Sequence, residues 1–349
     1  MTIRNRPDRS ARREHYGYVI LISAAAALGG FLFGFDTAVI NGAVAAIQGA
    51  FQANSWQIGL AVSLALIGSA IGAFYAGPIA DRQGRIRSML IAAVLFVISA
   101  IGSGLAFTIW DFTFWRILGG IAVGAASVLA PAYIAEVAPA RLRGRLGSLQ
   151  QMAIVVGIFM ALLCDYFIAT SAGSASSPLL GIPAWRWMFW TEGPPALLYG
   201  IAALMIPESP RYLVAQHREA EAIAVLTKVG EHNPAAKVED IEETVMHERK
   251  PRFSDLFGRN GQLLPIVWIG MGLSIFQQFV GINVIFYYST VLWQSVGFSE
   301  ENSLIITVIT SVTNIVTTLI ALMFVDRFGR KPLLLVGSLG MAITLGTLA

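Results

Sequence analysis

D-R-Q-G-R at 81–85 and D-R-F-G-R at 326–330 are one phrase written twice, 245 residues apart and identical at four of five positions. Each copy sits between two long apolar runs. Apolar runs of about 20 residues read as membrane helices, because about 30 Å of hydrocarbon needs that length at about 1.5 Å of rise per residue. Nine runs qualify: 18–40, 56–79, 88–109, 113–135, 147–169, 186–206, 262–288, 302–325 and 333–349. The phrase falls between runs two and three and again between runs eight and nine, so six runs separate equivalent loops. A six-helix unit is therefore repeated in the same orientation, and two such units predict twelve spans. The ninth run stops at Ala349 with no flanking charge or polar tail. We expect a C-terminally truncated all-α membrane protein, with about nine of twelve transmembrane helices present.

Composition agrees. The 349 residues are 56% hydrophobic and 13% charged, with a mean hydropathy of +0.66. Soluble domains carry about 25% charged residues. These values exclude a disordered chain, a disulfide-stapled secreted domain and a nucleic-acid-binding domain. The single cysteine, Cys164, permits no internal disulfide. The first run follows five arginines, as a signal peptide would. It is too long for one, carries Asp36, and is followed by eight more runs.

Lys and Arg mark the cytoplasmic side of a membrane protein. Of 24 basic residues, 22 lie in the N-terminal tail, in the loops after runs two, four and eight, and in the segment 207–261. The alternate loops, near 41–55, 110–112, 170–185 and 289–301, hold none. One missed or invented helix would scramble this alternation, so the N-terminus is expected in the cytoplasm. The organisation read here is a tail at 1–17, a six-helix bundle at 18–206, a linker at 207–261 and a partial second bundle at 262–349. Within the linker, 217–229 and 238–248 are rich in Glu, Ala, Lys and Val and read as short amphipathic helices, serving as a tether or as a gate.

The motifs, in order, are G-F-D-T-A-V-I-N-G at 34–42, G-P-I-A-D-R-Q-G-R at 77–85, W-R-I-L-G-G at 115–120, P-A-Y-I-A-E at 131–136, R-L-R-G-R at 141–145, P-E-S-P-R at 207–211, Q-Q-F-V-G-I-N at 277–283 and V-D-R-F-G-R-K-P at 325–332. Together they resemble the sugar porter family of the major facilitator superfamily, over the whole length of the chain. The resemblance implies two parallel six-helix repeats in a bacterial inner membrane. It implies a monomer that carries a hexose, glucose being the leading candidate, together with protons by alternating access. A proton-independent sugar uniporter and a non-transporting membrane sugar sensor stand as alternatives. No nucleophile–base grouping, metal cluster or phosphate-binding loop is present, so no enzyme activity, cofactor or metal is expected. The G-x-x-x-G pairs at 68–72 and 120–124 suit close helix packing.

Asp beside arginine at helix ends can pair neighbouring helices, although exposed pairs are individually weak. By this logic Glu136 would pair with the Arg141–Arg145 cluster, and Glu208 with Arg211 or its neighbours. The resemblance implies a cytoplasmic gate built from Asp81, Arg85, Glu136, Arg145, Glu208, Arg211, Asp326 and Arg330.

A carboxylate inside a span costs about 2.5–3.5 kcal/mol on insertion scales and marks a functional site. Asp36 lies about 6 Å of helix rise from the outer end of run one, and Arg116 about 4.5 Å from that of run four. The matched depths allow a pair across the bundle. Arginine favours the charged carboxylate and burial the neutral one, the balance a proton carrier needs. Glu192, in run six, is a second buried acid, and the resemblance gives it an accessory place in proton coupling. Asp165, near the outer end of run five, reads as solvated, and Arg186 as an interfacial anchor.

A sugar presents hydroxyls and an apolar ring face, so its site needs side-chain amides and an aromatic ring. Run seven supplies Gln277, Gln278, Asn283, Tyr287 and Tyr288. On one regular helix Gln277 and Asn283 lie about 240° apart and would not meet one ligand. Gly281 between them permits a break. The resemblance implies hexose binding by Gln151, Gln277, Gln278, Asn283 and Asn314, with Phe33 against the ring and Tyr287 beside it.

Overall fold

The computed structural model describes residues 9–139, 141–247, 253–258 and 261–348. Its elements run α1 (Arg9–Val39), α2 (Val44–Phe51), α3 (Ser55–Gln83), α4 (Arg85–Leu105), α5 (Ile109–Val137), α6 (Arg143–Ala172), β1 (Pro178–Leu179), β2 (Ile182–Pro183), α7 (Ala184–Trp190), α8 (Gly193–Met205), α9 (Pro210–Ala215), α10 (Glu219–Lys228), α11 (Pro234–His247), α12 (Pro265–Phe279), α13 (Ile282–Ser295), α14 (Glu300–Phe328) and α15 (Arg330–Leu348). Helix starts are written locally. Asn54 and Gln57 form a reciprocal capping box at α3, each side chain accepting from the other's backbone N–H at 2.9 Å. Thr108 caps α5 and Ser299 caps α14 in the same way on one side.

Among the described residues, 7 helical segments are long and apolar enough to cross a membrane, counting α12 and α13 as one. The nine expected runs depart from this at two places. Run six is divided into α7 and α8, because Pro194 and Pro195 open α8 and cannot donate the amide bonds that would continue α7. Run nine is the shorter apolar stretch Lys331–Thr347. Between α6 and α7 a small hairpin turns through Leu180 and Gly181, both at positive φ, as a tight two-residue turn requires.

The glycines explain how closely the helices approach. A Cβ on Gly68 or Gly72 of α3 would collide with the carbonyl oxygens of Ile117 or Ile121 on α5. Gly120 and Gly124 answer from α5, against the carbonyls of Ala65 and Ser69. Gly34 on α1 and Gly157 on α6 make the same reciprocal contact, through Ile154 and Phe31. Since lipid removes the hydrophobic drive between helices, such backbone approach is where packing energy comes from. Gly120→Ala is expected to destabilise the bundle by about 1–3 kcal/mol through overpacking. Gly59→Ala, where a Cβ meets nothing within 4 Å, is the control and leaves the melting temperature unchanged or raised. Thermal unfolding of the two purified variants checks this.

Large apolar side chains such as Leu21, Phe74, Met205, Phe279 and Val336 stay exposed on the outside of the helices, where hydrocarbon would meet them. The buried core lies among α1, α4, α5, α6 and α8, around Phe96, Leu129, Tyr133 and Tyr199. A second buried cluster, including Phe112, Trp185 and Phe189, extends to Phe286, Tyr287 and Leu304 of α13 and α14.

Candidate functional site

Asp36 and Arg116 meet in the dry interior of the bundle, 3% exposed each. Arg116 donates from one terminal nitrogen to Oδ1 at 2.6 Å, and from the other to Oδ2 at 3.2 Å and to the Asp36 carbonyl at 3.1 Å. This fork geometry adds direction to the charge attraction. Gly119 on α5 makes room, since a Cβ there would sit 3.3 Å from Asp36 Oδ1. Glu192, at the α7–α8 break, is 1% exposed and close enough to interact electrostatically with both members of the pair. Neither of its carboxyl oxygens has a hydrogen-bond partner among the described residues. Two acids thus share one base, and the Phe189 ring lies 5.7 Å from the guanidinium carbon.

The second feature is the broken helix. Gly281 takes φ 80°, a left-handed value that costs glycine little and other residues more, and it separates α12 from α13. The break turns Asn283 back so that its amide donates to Gln278 Oε1 at 2.8 Å. Gln277, Gln278 and Gln151 present exposed amides, while Asn314 and Phe33 are half-buried. On α13, Tyr287 is buried and lies within electrostatic reach of Asp36 and Arg116. It stands one helical turn beyond Asn283, so the same helix carries an amide and a residue near the buried charges.

At the end of the bundle where α3 meets α4, Arg85 is the hub. It binds Glu136 through two parallel hydrogen bonds of 3.0 and 2.8 Å and Asp81 at 3.0 Å. The expected partnership of Glu136 with the Arg141–Arg145 cluster is thus corrected: Arg85, at the start of α4, lies beside Glu136 at the end of α5 and takes both oxygens. Arg145 is exposed, and Arg141 stacks over Tyr16 at 4.6 Å. Glu208 accepts from the backbone N–H groups of Arg85, Ile86 and Ser209, capping α4 where its amides are unpaired. Arg211 lines a cavity of about 620 Å³ with Glu136, Arg143, Lys237 and Asp240. Asp326 and Arg330 fall at the α14–α15 junction, and their side chains lie outside the described residues.

Sequence reasoning missed a polar clasp at the opposite end of the bundle, where α1 gives way to α2. Asn41, just past α1, donates to the Phe286 carbonyl at 2.8 Å and to Ser289 Oγ at 3.1 Å, and accepts from the Thr290 amide and hydroxyl. Ser289 in turn hydrogen-bonds Thr307 of α14 at 2.7 Å. Glu300, opening α14, accepts from the Ala175 N–H at 2.7 Å. The signal was present: Ser303, Thr307 and Ser311 recur every fourth residue and form a buried polar stripe on α14. Asp165, expected in solvent, is fully buried, because α6 runs on to Ala172 and packs against α1 and α14. Arg186 donates to the Gly104 and Ala106 carbonyls at 2.6 and 2.9 Å, tying down the end of α4.

The arrangement of helices defines a major facilitator fold. The partially occluded inward-open form of the xylose transporter XylE from Escherichia coli superposes with a TM-score of 0.82 at 41% identity, over 93% of this chain and 77% of that one. The major facilitator proton:xylose symporter XylE bound to 6-bromo-6-deoxy-D-glucose matches at 0.82 and 41% identity, over 94% and 74% of the two chains. Residues 22–349 match the family described as sugar (and other) transporter, and the chain belongs to that family. A glucose transport protein of Synechocystis sp. is 70% identical over 334 residues, spanning 95% of this chain and 71% of that protein. A D-xylose-proton symporter of E. coli is 42% identical over 365 residues, spanning 95% and 72%.

Proposed function

We propose that this chain, as a monomer in a bacterial inner membrane with its N-terminus in the cytoplasm, carries a hexose together with a proton by alternating access. Glucose is the leading substrate. The observation that carries the reading is Tyr287, which stands one helical turn beyond Asn283 on α13 and within electrostatic reach of the buried Asp36–Arg116 pair. Sugar at the amides and a proton at the carboxyls would then be felt by the same side chain.

The charge arithmetic supports coupling. Asp36, Glu192 and Arg116 together hold two acids and one base in a dry site, so one added proton makes the site neutral. A neutral site crosses the closed, low-dielectric state at less cost than a charged one. Gln151, Gln277, Gln278, Asn283 and Asn314 hydrogen-bond the sugar hydroxyls, with Phe33 at the ring. The Asp81–Arg85–Glu136 cluster, with Glu208 behind it, stiffens the cytoplasmic ends of the first bundle as that side opens and closes. Arg145 of α6, Arg211 of α9, Asp326 of α14 and Arg330 of α15 complete that gate. Sugar leaves chemically unchanged, so no catalytic group is assigned.

Uptake of labelled glucose into proteoliposomes at two external pH values tests the reading. An imposed inward proton gradient should drive accumulation, and its collapse should leave equilibration only. Accumulation-free equilibration under both conditions identifies a uniporter, and no movement at all a sensor. Gln278→Ala and Asn283→Ala should each raise the KM for glucose about three- to tenfold, the loss of one net hydrogen bond. Unchanged KM values would remove the amides from the site.

A further inference from the structure

We propose that Asp165 is a positioning residue for closure of the outer side: through the Gly42 N–H it holds the 40–43 turn so that the Asn41 amide reaches α13. The idea rests on the transport reading only in treating this closure as one state of a cycle. Three observations carry it. Helix α1 ends at Val39, and in the turn that follows the amides of Asn41, Ala43 and Val44 find backbone carbonyls at 2.9–3.0 Å. The intervening Gly42 N–H goes to Asp165 Oδ2 at 3.2 Å. Asp165 is fully buried, and its Oδ1 has no hydrogen-bond partner among the described residues, so the side chain makes this one bond and no ion pair. Gly42 is also shaped to the carboxyl, since a Cβ there would lie 2.8 Å from Asp165 Cβ and 2.9 Å from Oδ2.

The neighbour on the other side of the peptide is what the bond controls. Asn41 satisfies both ends of its amide on α13, and Ser289 passes the contact on to Thr307 of α14. A clasp across two helices needs its amide held in place, and Asn41 stands on a turn rather than inside a helix. Asp165 fixes that turn to α6, which also packs on α14. Removing the acceptor leaves a buried N–H unpaired and frees the turn. A neutral asparagine keeps the acceptor and should keep the closure.

The test reads closure without sugar. Leu304 of α14, 2% exposed and facing the end of α6, is replaced by cysteine in a Cys164→Ser background. The rate of its reaction with a membrane-impermeant maleimide, added outside right-side-out vesicles, reports opening. Asp165→Leu should raise that rate about tenfold and Asp165→Asn leave it within about twofold, the difference being one buried hydrogen bond. Asn41→Ala should raise it as Asp165→Leu does, with the double variant no faster than either alone, since both act on one contact. Gly42→Ala, which pushes on the carboxyl without removing it, should also raise the rate and serves if Asp165→Leu does not fold. An unchanged rate in Asp165→Leu or Gly42→Ala, an unchanged rate in Asn41→Ala, or additive effects in the double variant would overturn the proposal. Because no sugar is present, a failure of glucose uptake leaves this outcome legible.

Discussion

Asp36→Asn is expected to abolish uphill accumulation of hexose while counterflow exchange survives. The substitution is isosteric, and its amide oxygen still accepts from the Arg116 guanidinium that approaches Oδ1 at 2.6 Å. The packing of α1 against α5 is kept, so sugar binding and the rocking of the bundle continue. What is lost is the exchangeable proton. Binding free energy of a proton then no longer differs between the two sides, and a ligand without differential affinity shifts no equilibrium. The internal sugar concentration should rise only to the external one. Labelled exchange in preloaded vesicles and net uptake under an imposed pH gradient separate the two behaviours. A variant that still concentrates glucose would remove Asp36 from proton coupling.

The second large effect is on folding. Arg116→Leu removes the one base from a dry site holding Asp36 and Glu192, and the exposure of all three groups is 3% or less. Breaking a buried pair by deleting one partner costs about 3–5 kcal/mol, mostly the desolvation of the charge left behind. The purified variant should melt far below the parent at neutral pH. Arg116→Lys keeps the charge but not the two-nitrogen fork, and should fall between them. A parent-like melting temperature for Arg116→Leu would mean that the pair contributes nothing to holding α1 on α5. These two results together would divide the roles of the pair, giving coupling to the aspartate's proton and the fold to the arginine's fixed charge.

Much of this was legible along the chain. Asp36 and Arg116 were matched by depth alone, because helix rise per residue is constant and the membrane supplies a common origin. Gly281 was legible as a break because the amides on either side of it would point in different directions, about 120° apart, on any unbroken helix. Other readings failed for identifiable reasons. Glu136 has several arginines near it in sequence, and its true partner, Arg85, is 51 residues away. Helix packing, not sequence distance, brings those ends together. Asp165 was misplaced because a hydropathy run ends where polar residues begin, whereas α6 continues to Ala172 and carries its last turns into the packed interior. Asn41 stood inside a motif, yet nothing local says that its amide crosses to α13.

Backbone hydrogen bonds cannot be left unmade in hydrocarbon, so the approximate ends of most spanning helices follow from the order of apolar residues. The repeat is written in the recurring D-R-x-G-R phrase, and the expected inside–outside alternation in the placement of Lys and Arg. Which acid meets which arginine, which amide clasps which helix, and which buried carboxyl holds a turn are decided by the angles at which those helices cross. Those angles are set by glycines that let carbonyls of one helix touch another, a short-range steric fit that takes its meaning only once both partners are in place.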